Sequence, residues 1–258
     1  MLVTLHENPS HGLQFDLNYT FSHSIDNVSQ VANSYAYTGY GFLCDVLRPR
    51  ICRGNSDFDV TNYVNGNFLY QLPFGRGRDF AANLPRWADE IIGGWESSGL
   101  PSWHTGTPFM ANSLAFIMGY SNEDPAILTG GLAPMKSHVT VANGQVTSFK
   151  NAQLAFNQYR GPVGFEMGSR NNLRGPGYFN IDLGVGKTFP LYREGVNLKF
   201  HVDAFNALNH PNFQSPSFQN NMALVAPPDE FGTIPGTVIP NGSDQAARVL
   251  QGSLRLEF

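Results

Sequence analysis

The sequence predicts an all-β protein built as an antiparallel up-and-down meander of about seven strands. The first observation is a repeated alternation of apolar and polar residues, which is the two-residue period of a strand with one apolar and one wet face. The second is the order of the connection lengths between these segments, which run short, long, medium, long, short, long. The third is that no run of about 18 or more apolar residues occurs, which excludes a membrane-spanning helix.

Each strand is predicted from its own pattern and from the turn residues that flank it. The first strand ends before Pro9 and Gly12, which supply turn geometry, and the fourth is irregular because Pro101 lacks an amide donor for the sheet. The predicted strands are residues 2–7, 13–22, 59–72, 93–107, 178–189, 196–204 and 248–258.

The carboxy-terminal strand is the segment around which the prediction is organised. One of its faces is apolar and consists of Leu250, Gly252, Leu254, Leu256 and Phe258. Its length is about that of a tilted strand that crosses a bilayer, roughly 9–11 residues. A terminal strand that ends in phenylalanine resembles the assembly signal of bacterial outer-membrane barrels.

The predicted strands place their mid-strand ionisable residues away from the apolar face. A lysine or arginine that faced lipid at the bilayer midplane would cost about 2–4 kcal/mol. A soluble core would sort charges in the same way, so the pattern supports the strand register more than it supports a membrane. The candidates for the interior of a barrel are Asp16, Asp182, Lys199, His201, Asp203 and Arg255.

The asymmetry of the connections separates a membrane barrel from a soluble sheet. Alternate connections fall on opposite ends of a meander, and every long one falls on the same end, as in outer-membrane barrels with short periplasmic turns and long extracellular loops. The turns 8–12, 73–92 and 190–195 are therefore expected to be periplasmic. Turn 73–92 has room for one helical turn, and loop 108–177 is expected to hold short strands near 126–132 or 138–149.

Composition excludes several classes of function. A net charge of −4 and a pI near 5.9 leave no basic surplus for nucleic acid. Neither the histidine spacing nor the motifs indicate a metal site, a cofactor or an enzyme, and the segment Gly186-Lys187-Thr188 lies in a strand without the earlier glycine of a phosphate-binding loop. In an oxidising compartment, a local disulfide between Cys44 and Cys52 is favoured over two free thiols.

Eight motifs follow one another along almost the whole chain. In sequence order they are GLQFDLNYTFSHSIDN (12–27), SDFDV (56–60), LPFGRGR (72–78), GGW (93–95), GTPF (106–109), RNNLRGPGYFNIDL (170–183), FNALNHPNF (205–213) and the terminal LRLEF. Together they resemble the end of the barrel in Oar-like TonB-dependent outer-membrane transporters.

The resemblance implies a large plugged barrel of roughly 22 strands in the outer membrane of a Gram-negative bacterium. Its partners would be outer-membrane lipid, the barrel assembly machinery and an imported ligand such as an oligosaccharide or a peptide. TonB would act only through a plug that this sequence lacks, as it lacks a signal peptide. Residues 1–258 are therefore expected to form the carboxy-terminal segment of a transporter barrel.

Two other classes of protein stay open from the residues alone. A secreted β-sandwich that binds carbohydrate or protein would be a water-soluble monomer with two packed sheets. A soluble hydrolase would bring a nucleophile and a base, or two carboxylates, into one cleft.

Overall fold

The computed structural model describes residues 1–27, 29, 47–113, 125–131, 139–142, 144–164, 166–191, 195–216, 222–224, 227–239 and 246–258. Seven long strands carry the fold, and shorter elements lie in their connections. The long strands are β1 (Leu2–Ser10), β2 (Leu13–Phe21), β5 (Asn62–Gln71), β6 (Trp95–His104), β13 (Tyr178–Pro190), β14 (Asn197–Phe205) and β15 (Val249–Glu257). The short strands are β3 (Ile25–Asp26), β4 (Gly54–Asn55), β7 (Pro108–Phe109), β8 (Ile127–Leu128), β9 (Thr140–Ala142), β10 (Gln145–Thr147), β11 (Tyr159–Arg160) and β12 (Leu173–Arg174). The helices are a 3-10 turn at Pro49–Cys52, α1 (Arg86–Ile92) and α2 (Ala152–Phe156).

The seven long strands form one antiparallel sheet in the order β1-β2-β5-β6-β13-β14-β15. Each strand pairs with the long strand that follows it in the chain, so the predicted all-β meander is confirmed. A sandwich would divide these strands between two packed sheets, and the single sheet does not fit that alternative. We call the end with the β1–β2, β5–β6 and β13–β14 connections the short-turn end, and the opposite end the long-loop end.

The details of the connections also follow the sequence. The pairing of β6 with β5 is interrupted at Leu100 and Pro101 and resumes in the same register, which is the irregularity expected from a residue without an amide donor. Helix α1 occupies the predicted helical turn of the β5–β6 connection, and β8, β9 and β10 lie at or beside the two places where short strands were expected.

The two faces of the sheet differ sharply in chemistry. The register aligns Trp95, Lys187, Phe200 and Leu254 in one row across β6, β13, β14 and β15, on the apolar face. The six predicted ionisable residues all have the opposite parity and lie on the polar face. Two charged residues of the described strands lie on the apolar face: Lys187 continues the apolar side of β13, and Glu7 near the end of β1 pairs with Phe15.

The packed core of the molecule lies in the long connections and not on the sheet. Phe149 stacks on Phe231 with ring centroids 5.7 Å apart, and both rings are buried. The remaining members of this cluster are Phe109, Ala111, Ala126, Ala155, Tyr159, Leu173 and Met222. By contrast, Leu250 and Leu254 on the apolar face of the sheet are 68% and 67% exposed. Among the described residues, no helix combines the length and apolar character needed to cross a bilayer.

Candidate functional site: a cleft on the polar face

A cleft of about 490 Å³ lies on the polar face of the sheet, toward the long-loop end. Its floor is made by side chains of three neighbouring strands, and its walls come from the long connections. The floor residues are Tyr63, Asn65, Leu100, Ser102, His104, Tyr178, Asn180 and Asp182, and the wall residues include Thr107, Pro176, Phe213, Ser215, Val238 and Ile239. Polar groups on a largely apolar concave surface are typical of a ligand site.

Three rings form a ladder across the floor of this cleft. His104 pairs in register with Tyr63 on one side and with Tyr178 on the other, so all three side chains lie on the same face. The His104 ring is nearly parallel to Tyr178, with centroids 5.0 Å apart and an interplanar angle of 7°, and its centroid is 5.9 Å from that of Tyr63. His104 Nδ1 donates to the backbone oxygen of Thr105 at 2.9 Å, which leaves Nε2 as the acceptor of the neutral ring.

Amide and carboxylate groups lie beside the ring ladder. Asn180 Nδ2 donates to Asp182 Oδ1 at 2.9 Å, and the backbone N–H of Asn206 donates to the same oxygen at 2.8 Å. Asn180 is buried, and its Oδ1 has no hydrogen-bond partner among the described residues. An unsatisfied buried oxygen is costly, so a donor group on a ligand would offset that cost.

Asparagines of the FNALNHPNF segment fix the connection that walls the cleft. Asn212 clamps the start of β13 by accepting from the Phe179 N–H at 2.8 Å and donating to the Phe179 oxygen at 2.9 Å. Asn206 has a positive φ of 48° and donates through Nδ2 to the backbone oxygens of His210 and Ala246. Both asparagines therefore hold backbone groups at the rim of the sheet, and the three rings of the ladder are the candidates for contact with a ligand.

Arginines of the RNNLRGPGY segment tie the loops together. Arg170 is buried and bonds Asp26, Ser29 Oγ and the Cys52 backbone oxygen. Arg174 donates to the carboxylate and the backbone oxygen of Asp59.

Both aspartates in this network titrate below their usual range. Burial raises the pKa of Asp59, but the hydrogen bonds from the Ser24 N–H and from Arg174 outweigh it and hold that pKa below its ordinary value of 3.8. The pKa of Asp26 is lowered in the same way, since bonds from Ser29 and Arg170 among others outweigh the effect of burial.

The structure distributes the six predicted polar-face residues over three places. Asp182 lies in the cleft, and Asp16 pairs with His6 near the edge strand β1. The other four lie on β14 and β15. His201 Nε2 and Asp203 Oδ1 are 2.9 Å apart, while Lys199 and Arg255 both approach Glu257. Five of the six therefore contact polar or charged side chains outside the cleft.

The remaining predicted features are placed only in part. Cys44 lies outside the described residues, so its pairing with Cys52 stays a prediction; Cys52 itself is fully buried and belongs to a described region with no free cysteine. Aromatic residues of the long loops would suit sugar or peptide rings, but these residues, Tyr35, Tyr37, Tyr40, Phe116 and Tyr120, lie outside the described residues as well. Within the described part of the chain, no three or more His, Cys, Asp or Glu side chains are grouped to hold a metal ion.

A family model described as "Outer membrane beta barrel domain" matches residues 1–251. The chain belongs to this family of outer-membrane β-barrels. The match covers nearly the whole chain and agrees with the antiparallel meander, and it places the protein in the outer membrane of Gram-negative bacteria. No curated protein and no solved structure compared with the chain matches it.

Sequence reasoning missed the main groups of the cleft in this outer-membrane β-barrel. The histidine spacing indicates no metal site and so gives His104 no role, and Tyr63 and Tyr178 fall inside predicted strands without any further signal. The signal that could have found them is parity: with the strand pairing known, all three fall in one row on the polar face.

Proposed function

We propose that this outer-membrane β-barrel is part of a TonB-dependent transporter that takes up an oligosaccharide or a peptide. The ring ladder in the cleft carries the proposal, because three aligned rings beside amide and carboxylate groups suit a ligand with both flat apolar faces and hydroxyl or amide groups. The ordered series of motifs that resemble Oar-like transporters supports it. In this proposal the site binds and passes its ligand and catalyses no reaction.

The position of the cleft supports uptake from outside the cell. It lies on the polar face near the long-loop end, which the proposal makes extracellular, and the folded loop core lies in the same connections. A ligand would therefore meet the walls first, at Phe213, Ser215, Val238 and Ile239, and the ring ladder next. The short-turn end is then periplasmic.

The edges of the sheet indicate how the wall is completed. Strands β1 and β15 stand at the two ends of the sheet order, and an unpaired strand edge in lipid leaves backbone groups unsatisfied. We propose that further strands pair with these edges in a larger barrel, of which residues 1–258 form one part of the wall. TonB would then act on a plug inside that barrel.

The terminal strand supplies the proposed assembly signal. Leu250, Leu254, Leu256 and Phe258 are all more than half exposed, and Leu254 pairs with Phe200 on the same apolar face. The barrel assembly machinery would bind this stripe before lipid covers it. Deletion of Phe258 should reduce the amount of protein in the outer-membrane fraction, and unchanged recovery there would refute the assigned role of the terminus.

Uptake itself is tested in the native bacterium. The chromosomal gene is deleted, and uptake of a panel of labelled oligosaccharides and peptides is measured with TonB active and with TonB inactivated. The proposal expects that one class of ligand is no longer taken up when the gene is deleted, and also when the gene is intact but TonB is inactivated. If the deletion stops uptake that continues without TonB, the barrel is a passive pore, and if no ligand is affected, the transport role is wrong.

A further inference from the structure

The turn between β5 and β6 exposes an unusual amount of apolar surface for a short-turn connection. Five large side chains are more than 40% exposed, although the segment contains the helix α1. They are Phe74, Phe80, Trp87, Ile91 and Ile92. Trp87 and Ile91 are four residues apart on α1 and so share one side of the helix. An exposed apolar surface of this kind is unfavourable in water and is typical of a surface that contacts a membrane or another molecule.

Lys187 fastens the end of this turn to the apolar face of the sheet. Its ammonium donates to the backbone oxygens of Glu90 and Gly93 at the carboxy-terminal end of α1, where helix carbonyls lack partners. The side chain is 5% exposed and passes between aromatic rings, with Nζ 5.7 Å from the Trp95 centroid and 4.9 Å from that of Phe189. These hydrogen bonds and ring contacts explain how a lysine is accommodated on the apolar face of the sheet.

Trp95 adds a second attachment to the same place. Its Nε1 donates to the Ile91 oxygen at 2.8 Å, and its ring packs edge-on against Phe200 with centroids 6.2 Å apart. Both attachments start from the row that also contains Leu254 on the apolar face. The carboxy-terminal end of α1 is therefore continuous with the surface that an outer-membrane β-barrel presents to lipid.

The turn also carries exposed cationic side chains. Arg76, Arg78 and Arg86 are exposed within the same segment as the apolar side chains. Aromatic and aliphatic groups combined with arginines are typical of segments that lie at the boundary between headgroups and acyl chains. The same segment holds three carboxylates, Asp79, Asp89 and Glu90, so its formal charge is balanced, and Asp89 Oδ1 accepts from the backbone N–H of Arg76 at 2.7 Å.

We propose that the segment 73–94 is an interfacial anchor that binds the phospholipid leaflet at the short-turn end. Trp87 and Ile91 enter the boundary of the acyl chains, the three arginines meet the lipid phosphates, and Lys187 and Trp95 hold the helix against the barrel wall. The assignment of this leaflet to the periplasmic side rests on the orientation given under the proposed function. Binding to lipid does not depend on the transported ligand.

The test measures the depth of individual tryptophans in the full chain reconstituted into vesicles that contain phosphatidylglycerol. One variant keeps only Trp87 (W95F/W103F), and a matched variant keeps only Trp103, which lies on the apolar face of β6 (W87F/W95F). Lipids brominated near the headgroup or near the chain end quench fluorescence at the corresponding depth. We expect Trp87 to be quenched on the order of twofold by the shallow label and less by the deep one, as for an interfacial tryptophan.

The matched variant separates the possible failures. Because W95F also removes one attachment of α1, the contribution of Trp87 is checked as the difference between the native chain and Trp87→Phe, both of which keep Trp95. If Trp103 is quenched and Trp87 shows no quenching by either measure, the anchor is wrong and the barrel in the membrane stands. If neither is quenched, the sheet does not contact lipid and the proposed function fails with the anchor. Should the double variants fail to fold, the difference between the native chain and Trp87→Phe decides the proposal.

The role of Lys187 has its own test in the same vesicles. Lys187→Met removes the donor to Glu90 and Gly93 while it keeps a long apolar side chain, so shallow quenching of Trp87 should fall on the order of twofold. Lys199→Met is the control, because Lys199 lies on the adjacent strand and on the polar face. Equal quenching of Trp87 in both variants would overturn the role of Lys187.

Discussion

Arg174 binds both polar parts of Asp59: its Nη1 donates to the backbone oxygen at 2.8 Å, and its Nη2 donates to the carboxylate. The Asp59 side chain is 1% exposed, so this contact neutralises a buried charge just before β5 begins. Arg174 also donates to the Gly106 oxygen at 3.2 Å. One side chain thus joins the β2–β5 connection, which holds Asp59, to two parts of the β6–β13 connection at the rim above the cleft.

Loss of this contact should loosen the rim. Arg174→Ala leaves the Asp59 carboxylate buried with fewer donors, so we expect the free energy of unfolding of the loop region to fall by about 2–3 kcal/mol. The measurement is the denaturant midpoint for protease protection of the loops in the detergent-purified protein. Arg160→Ala is the control, because its partner Glu166 is solvent-exposed and such pairs contribute little. Equal losses in both variants would contradict the role of Arg174.

Acid should weaken the same rim in a defined direction. The pKa values of Asp59 and Asp26 are lowered in the folded protein, so each carboxylate contributes stability above its ordinary value of 3.8 and loses it as the pH falls through the lower folded pKa. Protease protection of the loops should therefore be flat from about pH 7 to about pH 5 and decline below about pH 4. In Asp59→Asn this decline should become shallower, and an unchanged profile would rule out Asp59 as its source.

The ring ladder should control ligand binding. His104→Ala removes the central ring on which a ligand ring would stack, a contact worth about 0.5–1.5 kcal/mol, so the Kd of the transported ligand should rise about two- to tenfold. The amount of protein in the outer membrane should not change. His201→Ala removes a polar-face histidine outside the cleft and should leave the Kd as it is. A ligand that binds His104→Ala at the native Kd does not use this cleft.

The Asn212 clamp should hold the cleft wall in place. Asn212→Ala removes both bonds to the Phe179 backbone, and because Asn212 is 2% exposed the loss should be about 2 kcal/mol in the stability of the wall. Hydrogen exchange of the Phe179 amide reports the change directly. Asn212→Asp keeps the acceptor and loses the donor, so its Phe179 amide should exchange at an intermediate rate. Slow exchange in the alanine variant would show that another group holds β13.

The strands and their faces could be predicted because they depend on local pattern. Alternation in residues 13–22 and 248–258 fixes which side chains share a face, and turn residues such as Gly12, with a φ of 80°, mark where the chain reverses. The long-loop asymmetry then indicates a barrel, since a meander sends alternate connections to opposite ends. Membership of the outer-membrane barrel family agrees with this prediction.

The contacts that shape the candidate site depend on residues far apart in the chain, and pattern alone does not pair them. Arg174 and Asp59 are separated by 115 positions, and His104 meets Tyr178 only after the 70-residue connection folds back. Lys187 lies on the apolar face although it is charged, because the fold brings the backbone oxygens of Glu90 and Gly93 at the end of α1 within reach of its ammonium group. From the alternation of residues alone, Lys187 is only a cation on the apolar side of its strand.

The assignment of the apolar face to lipid is tested most directly by placing one arginine on each face of the terminal strand. Leu250 and Gln251 are neighbours, but Leu250 lies on the apolar side in the row of Ala204 and Leu183, near the middle of β13, and Gln251 pairs with Asp203 on the polar side. An arginine that faces lipid costs about 2–4 kcal/mol near the midplane, whereas one that faces the barrel interior does not. We expect Leu250→Arg to be lost from the outer-membrane fraction and Gln251→Arg to remain there. Equal recovery of the two variants, or loss of Gln251→Arg alone, would contradict the assignment of the apolar face to lipid.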